Sequence, residues 1–550
     1  MRVIRHILAV LTCISFFTSG FAIQTRKHPV LPLLDYATTT DRDNPALWES
    51  DPLPLTKAAA PGAYSKRNVP RTGSREYLTV LVDFTDTHFF MKDTAELRNY
   101  YDRMFNEKDF SPNIPSKYKS LVLHPAQGCV ADYFQDQSFG KFKPSFRIVG
   151  PIHASQGFAY YGKNSGGDDR YVNRLVSEII DSISAQGEID LTQYSINGAI
   201  ENLCVIYAGN GENYDYADAN RIFPHADSIQ NVNGLKRVFF CCSCELFWDS
   251  DSIIDGIGTI CHEFAHTLGL PDFYNKSSAS SAITDAAMGY WSLMDYGNYE
   301  NEGFSPVGLT AFEKYSLGWM DIEEIKAPGH YTLSADISQE PDPENEIHSA
   351  YRINTEQENS FIILENHAKT GWYKYHASEG LLVTGVRYDR SSWSSNQVNT
   401  TSSNLYKRFH IFPADNDYNR SSNAGDLFPY QDVDSITTKG QPALLIASYT
   451  PQYSVYDIRK EGNIIAFNAG QDRTSAGIDN RSAKDISINV TDGELSVTAP
   501  LGTEVTVHDI SGRMVSKTIT TQATQRIALP GRGVWIVKCG KTVRKLRIEN

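Results

Sequence analysis

The feature that most constrains this chain is the stretch GTICHEFAHTLGLPDFYN, residues 258–275. Apolar residues recur at helical spacing over residues 253–268 and predict a helix with one buried face. On such a helix His262 and His266 lie four positions apart, so their imidazoles project about one turn apart from the same side. Two imidazoles in that arrangement reach a single zinc ion. The stretch therefore predicts a metal-binding helix.

The residues around the two histidines suit a catalytic zinc site. Glu263 stands beside the first histidine, where its carboxylate is placed to take a proton from the attacking water. Gly269 tolerates a positive φ and turns the chain, so that Asp272 swings back as the third ligand. Three protein ligands leave the fourth zinc position open. The alternative is that Asp272 only caps or pairs with a cation, and another carboxylate completes the site.

A second motif, GYWSLMDYGNY, follows at residues 289–299. Its Ser-x-Met-x-Tyr pattern predicts the turn found beneath the metal in metzincin peptidases. Met294 would form the hydrophobic floor under the ligands, and Tyr296 is placed to approach the metal or the substrate oxyanion. The alternatives are an ordinary core methionine at position 294 and a tyrosine without a chemical role at position 296.

Composition and charge narrow the class of protein. The net charge is −14 without a compensating basic block, which argues against nucleic acid as a partner. Two arginines, an apolar run over residues 7–17 and small residues at Gly20 and Ala22 predict a secretory signal peptide, residues 1–22. An N-terminal membrane anchor is the alternative, but the run is shorter than the ~20 residues of a span. No other segment is long enough to cross a bilayer.

Pattern changes divide the rest of the chain. Residues 23–71 lack a sustained period and predict a pro-segment, cleaved at basic residues near Lys66, Arg67 and Arg71, with a flexible spacer as the alternative. The segment has no cysteine, so a thiolate on the zinc cannot provide latency. Helices and strands intermix over residues 72–325, which predicts an α/β catalytic domain.

Short alternating strands over residues 326–470 predict a β-sandwich domain. The sequence predicts a linker over residues 471–486 and a smaller all-β domain over residues 487–550. The expected fold class is multidomain α+β.

Three further features of the sequence have simpler structural interpretations. Cys242 and Cys244 share one face of a strand, which favours a buried strand, in which one disulfide is an option, over a closed zinc site that needs four ligands. His225 is expected to be a hydrogen-bonded structural histidine. The loop over residues 415–426 carries acidic and amide oxygens, and a solvated loop is favoured over a Ca²⁺ site.

Several motifs resemble the immune inhibitor A family of secreted bacterial metallopeptidases. Besides H-E-x-x-H-x-x-G-x-x-D and the Met-turn, landmarks such as EYLTVLVDFTD, CVIYAGNGE, SPVGLTAFEKYSLGWM and SFIILENHAKTGWY occur in order over residues 75–470. The resemblance implies a zinc endopeptidase with a metzincin-like catalytic domain and an associated β-rich domain. It implies that His262, His266 and Asp272 bind one zinc ion and that Glu263 is the catalytic acid/base. The segment QYSINGAIENL departs from the family in lacking clustered carboxylates, so calcium is not expected there.

The C-terminal tail resembles the sorting domain of the type IX secretion system. Gly512, Pro530, Gly533 and the closing basic strand carry this similarity. It implies export by the type IX secretion machinery, with release outside the cell or anchoring at the outer-membrane surface. A fibronectin-like accessory module is the alternative.

These observations lead to the hypothesis of an exported zinc endopeptidase, a zymogen that acts on proteins or peptides. The alternative hypothesis, from a different class of function, is a surface adhesin that has a peptidase fold and no catalytic activity. Glu263 discriminates between them, because loss of the base is the usual way to disable such a site, and the glutamate is present.

Overall fold

The computed structural model describes most of the chain from residue 71 onward. It covers residues 71–165, 168–214, 218–248, 250–276, 287–400, 407–417, 424–437 and 449–471, and, in the tail, 487–491, 494–499, 504–520, 524–529, 531, 533–539 and 542–548. The predicted signal peptide, the pro-segment up to residue 70, residues 472–486 of the predicted linker and Pro530 lie outside the described residues. Chain contacts separate the residues up to Gly470 from those after it, and each unit is described by itself.

The first unit contains sixteen strands among its described residues. They are β1 Gly73–Asp83, β2 Phe142–His153, β3 Asn164–Ser165, β4 Asp168–Asp169, β5 Ser195–Ile196, β6 Ala199–Asn210, β7 Ala226–Val232, β8 Leu235–Leu246, β9 Glu323–Glu324, β10 Gly329–Leu333, β11 Ala350–Asn354, β12 Ser360–His367, β13 Gly380–Arg387, β14 Phe409–Ile411, β15 Ser454–Glu461 and β16 Ile464–Gly470.

The described α-helices all belong to this unit. They are α1 Thr94–Asn106, α2 Val130–Gln137, α3 Phe158–Gly162, α4 Val172–Gln186, α5 Gly258–Leu268, α6 Ala311–Ser316 and α7 Arg390–Ser394. Short 3-10 turns lie at Lys119–Leu121, Leu191–Tyr194, Gly289–Trp291, Gly297–Gly303, Pro343–Asn345 and Gly371–Tyr373.

A six-stranded sheet forms the centre of the first half. Its order is β2-β1-β6-β8-β7, with the short β5 paired to β6. The first four strands run parallel, and β7 pairs antiparallel to β8 at the edge. Parallel strands covered on both faces read as continuous apolar runs, and residues 77–83 of β1 are all buried.

The helices cover this sheet for reasons visible in the sequence. Asp93 caps α1 by accepting from the backbone N–H groups of residues 95 and 96. Helix α4 buries an apolar stripe and ends at Gly187, whose φ of 68° closes the helix. Helix α5 is buried along its whole length. Its Phe264 packs at 5.1 Å from the ring of Tyr77 on β1 and at 4.8 Å from that of Phe134 on α2.

Two further sheets follow. The five-stranded sheet has the order β14-β13-β12-β11-β9, and the three-stranded sheet the order β10-β16-β15. One hydrophobic core includes residues of the first half together with residues of β12, β13 and β14. Ring contacts of 4.6 Å between Phe273 and Phe409, and of 6.2 Å between Phe312 and Phe361, cross the predicted boundary at residue 325. A division at that boundary stays a prediction.

The second unit is formed by strands alone among its described residues. They are β17 Ser487–Thr491, β18 Glu494–Thr498, β19 Glu504–Asp509, β20 Met514–Ile519, β21 Thr524–Ala528, β22 Gly533–Cys539 and β23 Thr542–Ile548. They form sheets of order β17-β18-β21 and β20-β19-β22-β23 around a small core.

The coarse expectation of a mixed α/β fold with several sheets and β-rich regions is confirmed. The predicted start of the metal-binding helix at residue 253 was wrong, because α5 begins at Gly258. Ile254 instead forms a β-bridge with Leu246, so an apolar residue at helical spacing belongs to an extended segment. None of the helices in the described part of the chain has the length and apolar character needed to span a bilayer.

The shared core predicts that the first half does not fold alone. A chain of residues 71–325 would leave Phe273 and Phe312 without Phe409 and Phe361, and would expose a large apolar surface. We expect residues 71–470 to unfold in one cooperative transition and residues 71–325 to show none, as measured by near-UV circular dichroism during thermal unfolding. A monomeric 71–325 fragment that unfolds cooperatively would contradict this prediction.

Candidate metal centre

Helix α5 brings the two predicted histidine ligands together. The ring centroids of His262 and His266 lie 4.7 Å apart, as expected for positions i and i+4 on one helix. The helix ends at Gly269, which has a φ of 104°. A residue with a β-carbon is strained there, and the glycine lets the chain reverse toward the histidines.

Backbone carbonyls fix the orientation of both imidazoles. The Nδ1 atom of His262 lies 2.8 Å from the carbonyl oxygen of Leu293, and that of His266 lies 2.7 Å from the carbonyl oxygen of Leu270. A carbonyl oxygen only accepts hydrogen bonds, so each Nδ1 is the donor. In a neutral imidazole this leaves the Nε2 lone pair for a metal ion, the usual arrangement of a ligating histidine.

Asp272 lies between the two Nε2 atoms. Its Oδ1 atom is 3.1 Å from Nε2 of His262 and 3.2 Å from Nε2 of His266. Burial opposes ionisation of this carboxyl, but the Lys276 ammonium and His266 hold the pKa of Asp272 well below its usual range. The group is therefore an ionised carboxylate, as a metal ligand must be.

The spacing of these atoms fits a zinc ion. Ligands bound to zinc at ~2.0–2.1 Å in a tetrahedral arrangement lie about 3.3 Å apart, close to the observed separations of 3.1 and 3.2 Å. Ligand atoms of His262, Glu263 and His266 also lie within 4.8 Å of one another. Glu263 is the more distant carboxylate, with Oε2 at 4.0 Å from Nε2 of His266. The nearer carboxylate, Asp272, is the better third ligand.

The predicted Met-turn lies directly under the helix. Met294 is fully buried, and its carbonyl oxygen accepts a hydrogen bond of 2.7 Å from the backbone N–H of Phe273, next to Asp272. The turn is closed by the Gly297 N–H, which donates to the carbonyl of Ser292. It thus contacts both the first histidine, through Leu293, and the segment of the third ligand.

A cleft opens beside this centre. His262 and Glu263 line it, as do the aromatic side chains of Phe223, Tyr274, Tyr296 and Tyr299. Glu263 is buried, and it is one of the residues that line the cleft. The predicted residue Tyr296 therefore borders the same space as the glutamate.

The structure brings His262, Glu263, His266, Asp272 and Met294 into one neighbourhood. The remaining motifs lie elsewhere. His225 is buried, with its Nδ1 atom 2.7 Å from the carbonyl oxygen of Phe223, and Cys242 and Cys244 are free and buried on β8. Residues 418–423 of the proposed calcium loop lie outside the described residues, so that alternative stays open.

Sequence reasoning missed three residues that support the centre. Lys276 donates a hydrogen bond of 2.8 Å to Oδ2 of Asp272. Asn396, which lies in the second half of the chain, donates a second hydrogen bond of 2.8 Å to the same oxygen. Glu313 accepts from the Ser292 hydroxyl at 2.6 Å and so ties α6 to the Met-turn. Only Glu313 had a local signal, since it forms a capping box with Thr310.

Part of this chain is similar in sequence to known proteins. Residues 66–321 match the family described as immune inhibitor A peptidase M6, catalytic domain. The chain is also 24% identical over 293 residues to the pre-pro-metalloprotease PrtV of Vibrio cholerae serotype O1, strain M66-2. The same figures hold for PrtV of strain ATCC 39315 / El Tor Inaba N16961.

These similarities support a metallopeptidase. The alignment covers 45% of this chain and 31% of the relatives, so the chain spans about a third of the length of the curated proteins it matches. A metallopeptidase family implies a metal ion and protein substrates, in agreement with the sequence prediction at this coarser level.

The turn after α5 predicts a specific sensitivity at Gly269. A β-carbon there would approach Nη2 of Arg71 to 2.5 Å and would also occupy a left-handed conformation. Gly187 is a matched control, because it also ends a helix with positive φ but has no atom within 4 Å of a β-carbon. We expect Gly187→Ala to lower the free energy of unfolding by about 1 kcal/mol, and Gly269→Ala to lower it more and to lose bound zinc. Chemical denaturation and metal content check this. Equal losses of stability, with the zinc content unchanged, would contradict it.

Proposed function

We propose that this chain is a zinc endopeptidase in which Glu263 acts as the general base. The observation that carries the proposal is the position of Asp272 Oδ1, at 3.1 and 3.2 Å from the two histidine Nε2 atoms. Three donors of this kind, two nitrogens and one carboxylate oxygen, match the ligand set of catalytic zinc sites. His262, His266 and Asp272 would hold the ion.

The ion would supply a Lewis acid for the scissile carbonyl and a lowered pKa for water. Glu263 borders the cleft and does not approach the histidine nitrogens as closely as Asp272, which leaves its carboxylate for proton transfer. In this mechanism Glu263 takes a proton from water as the water oxygen forms a bond to the scissile carbonyl carbon, and it delivers that proton to the leaving amine nitrogen. The peptide carbon–nitrogen bond breaks as that nitrogen is protonated.

Tyr296 is the proposed hydrogen-bond donor to the oxyanion. It lines the same cleft as Glu263 and lies two residues after Met294, so the Met-turn sets its position. A hydroxyl aimed at the developing charge stabilises the transition state more than the ground state.

Export and maturation complete the proposal. We assign residues 1–22 to a signal peptide, residues 23–71 to a pro-segment and residues 487–550 to a type IX sorting domain that engages the secretion machinery. The relatives are themselves described as pre-pro-metalloproteases. The Arg71 carbonyl accepts from Nε1 of the fully buried Trp319 at 2.6 Å. We therefore propose a final cut at Lys66 or Arg67, so that the pro-segment ends there and not at the predicted boundary of residue 71.

The first test compares Glu263→Gln with the unaltered chain. We expect one zinc per chain in both and an activity on a denatured protein substrate that is lower by about 10²–10⁴-fold in the variant. Glu188→Gln, which replaces an exposed glutamate beyond the end of α4, is the matched control and should retain full activity. Zinc in the unaltered chain without cleavage would favour the inert adhesin, and absence of zinc from the folded chain would overturn the proposal.

A second test addresses Tyr296. We expect Tyr296→Phe to lower kcat by about 10²-fold with little change in KM, because the lost hydroxyl acts in the transition state. Tyr274→Phe is the comparison variant, since it removes a hydroxyl from the same cleft at a residue outside the Met-turn. The kinetics of peptide cleavage give kcat and KM for each variant. An unchanged kcat in Tyr296→Phe would contradict a role of this residue in the mechanism.

A further inference from the structure

Asn396 contacts the third ligand from the second half of the chain. Its Nδ2 atom donates to Oδ2 of Asp272 at 2.8 Å, and its Oδ1 atom accepts from the backbone N–H of Asp272 at 2.7 Å. The two residues are 124 positions apart in the sequence, and Asn396 is fully buried. A single amide therefore holds both the backbone and the side chain of Asp272.

The loop that carries Asn396 is itself fixed. Asp389 caps the short helix α7 by accepting from the Ser392 N–H at 2.8 Å. Asn396 has a φ of 53°, a left-handed conformation that asparagine tolerates better than most residues. Trp393 packs on Phe312 of the first half at 6.1 Å. The amide is thus presented by a packed turn.

A second asparagine ties the same loop to the next residue of the ligand segment. Asn399 Nδ2 donates to the carbonyl oxygen of Phe273 at 2.7 Å, while its Oδ1 accepts from the backbone N–H groups of Arg408 and Phe409. Residues 272 and 273 are therefore each held by a side-chain amide of residues 396–399. These contacts fix the ligand segment along its backbone.

The two oxygens of the Asp272 carboxylate therefore have different partners. Oδ2 accepts from Asn396 and from Lys276, each at 2.8 Å, while Oδ1 lies near the two histidine nitrogens. The ammonium of Lys276 supplies charge, but it sits on a long flexible stem. The planar amide of Asn396 fixes the orientation of Asp272, because one of its hydrogen bonds holds the carboxylate and the other holds the backbone.

We propose that Asn396 is a positioning residue of the metal centre, which raises zinc affinity by fixing Asp272 for binding through Oδ1. The β-rich half of the chain is then part of the metal site. This inference rests on the proposed zinc binding and extends it to a residue outside the family match of residues 66–321.

The test measures zinc dissociation constants of the full chain by competition with a chromophoric chelator. Asn396→Gly removes the amide and keeps the left-handed conformation accessible. Asn396→Asp keeps the size but places a carboxylate oxygen against Oδ2 of Asp272. We expect both variants to bind zinc about 10- to 100-fold more weakly than the unaltered chain.

The control is Asn366→Ala. Asn366 is also a buried asparagine of the second half, and its Nδ2 donates to the carbonyls of Ala335 and Asn463, away from Asp272. We expect it to lower stability without changing the zinc dissociation constant. Cobalt(II) absorption gives a second readout, since a displaced carboxylate alters the ligand field of the ion.

The outcomes separate this inference from the proposed activity. Unchanged zinc affinity in both Asn396 variants, or an equal loss in Asn366→Ala, would overturn the positioning role. Weaker binding only in the Asn396 variants would support it. An unaltered chain that binds zinc and cleaves no peptide would overturn the proposed peptidase, while the dissociation constants would still decide the role of Asn396.

Discussion

The buried carboxylate of Asp272 is the interaction around which the rest of the structure is arranged. An ionised carboxylate in a protein interior is costly unless charges and hydrogen bonds compensate it. Here the compensation comes from three segments: helix α5 with its histidines, Lys276 at 2.8 Å, and Asn396 from a loop 124 residues away. A change in the position of any of these segments leaves a buried charge without its partner. The carboxylate therefore couples the two halves of the first unit.

The packing around α5 also fixes the positions of the helix and of its histidine side chains. Phe264 anchors the helix against the sheet through Tyr77 and Phe134, while the carbonyl of Leu293 fixes His262 from the opposite side. Glu313 in turn holds the Met-turn through Ser292. Because each of these contacts joins a different element, the orientation of the imidazoles depends on the shared core. A metal centre assembled in this way is as rigid as the core behind it.

Local sequence signals predicted the local structure well. The apolar stripe of α4, the glycine that ends this helix at position 187 and the aspartate that caps α1 are all features of the local sequence. The histidine spacing predicted the geometry of α5 for the same reason, since it depends only on helix periodicity. The start of that helix was misjudged because Ile254 has the same apolar character whether it packs in a helix or in a β-bridge. Periodicity alone does not separate these two cases.

The supporting contacts could not be predicted because they join distant positions. Nothing near Asn396 in the sequence indicates a partner at Asp272, and the sequence pattern does not single out Lys276. Their presence changes the electrostatics of the ligand. An aspartate paired with a lysine at 2.8 Å carries no net charge, so together they resemble the neutral histidine that serves as third ligand in some catalytic zinc sites. A bare carboxylate would neutralise part of the charge on the ion and weaken it as a Lewis acid. In the proposed zinc site, the Lys276–Asp272 pair would thus reconcile an anionic ligand with the strongly polarising centre that peptide hydrolysis requires.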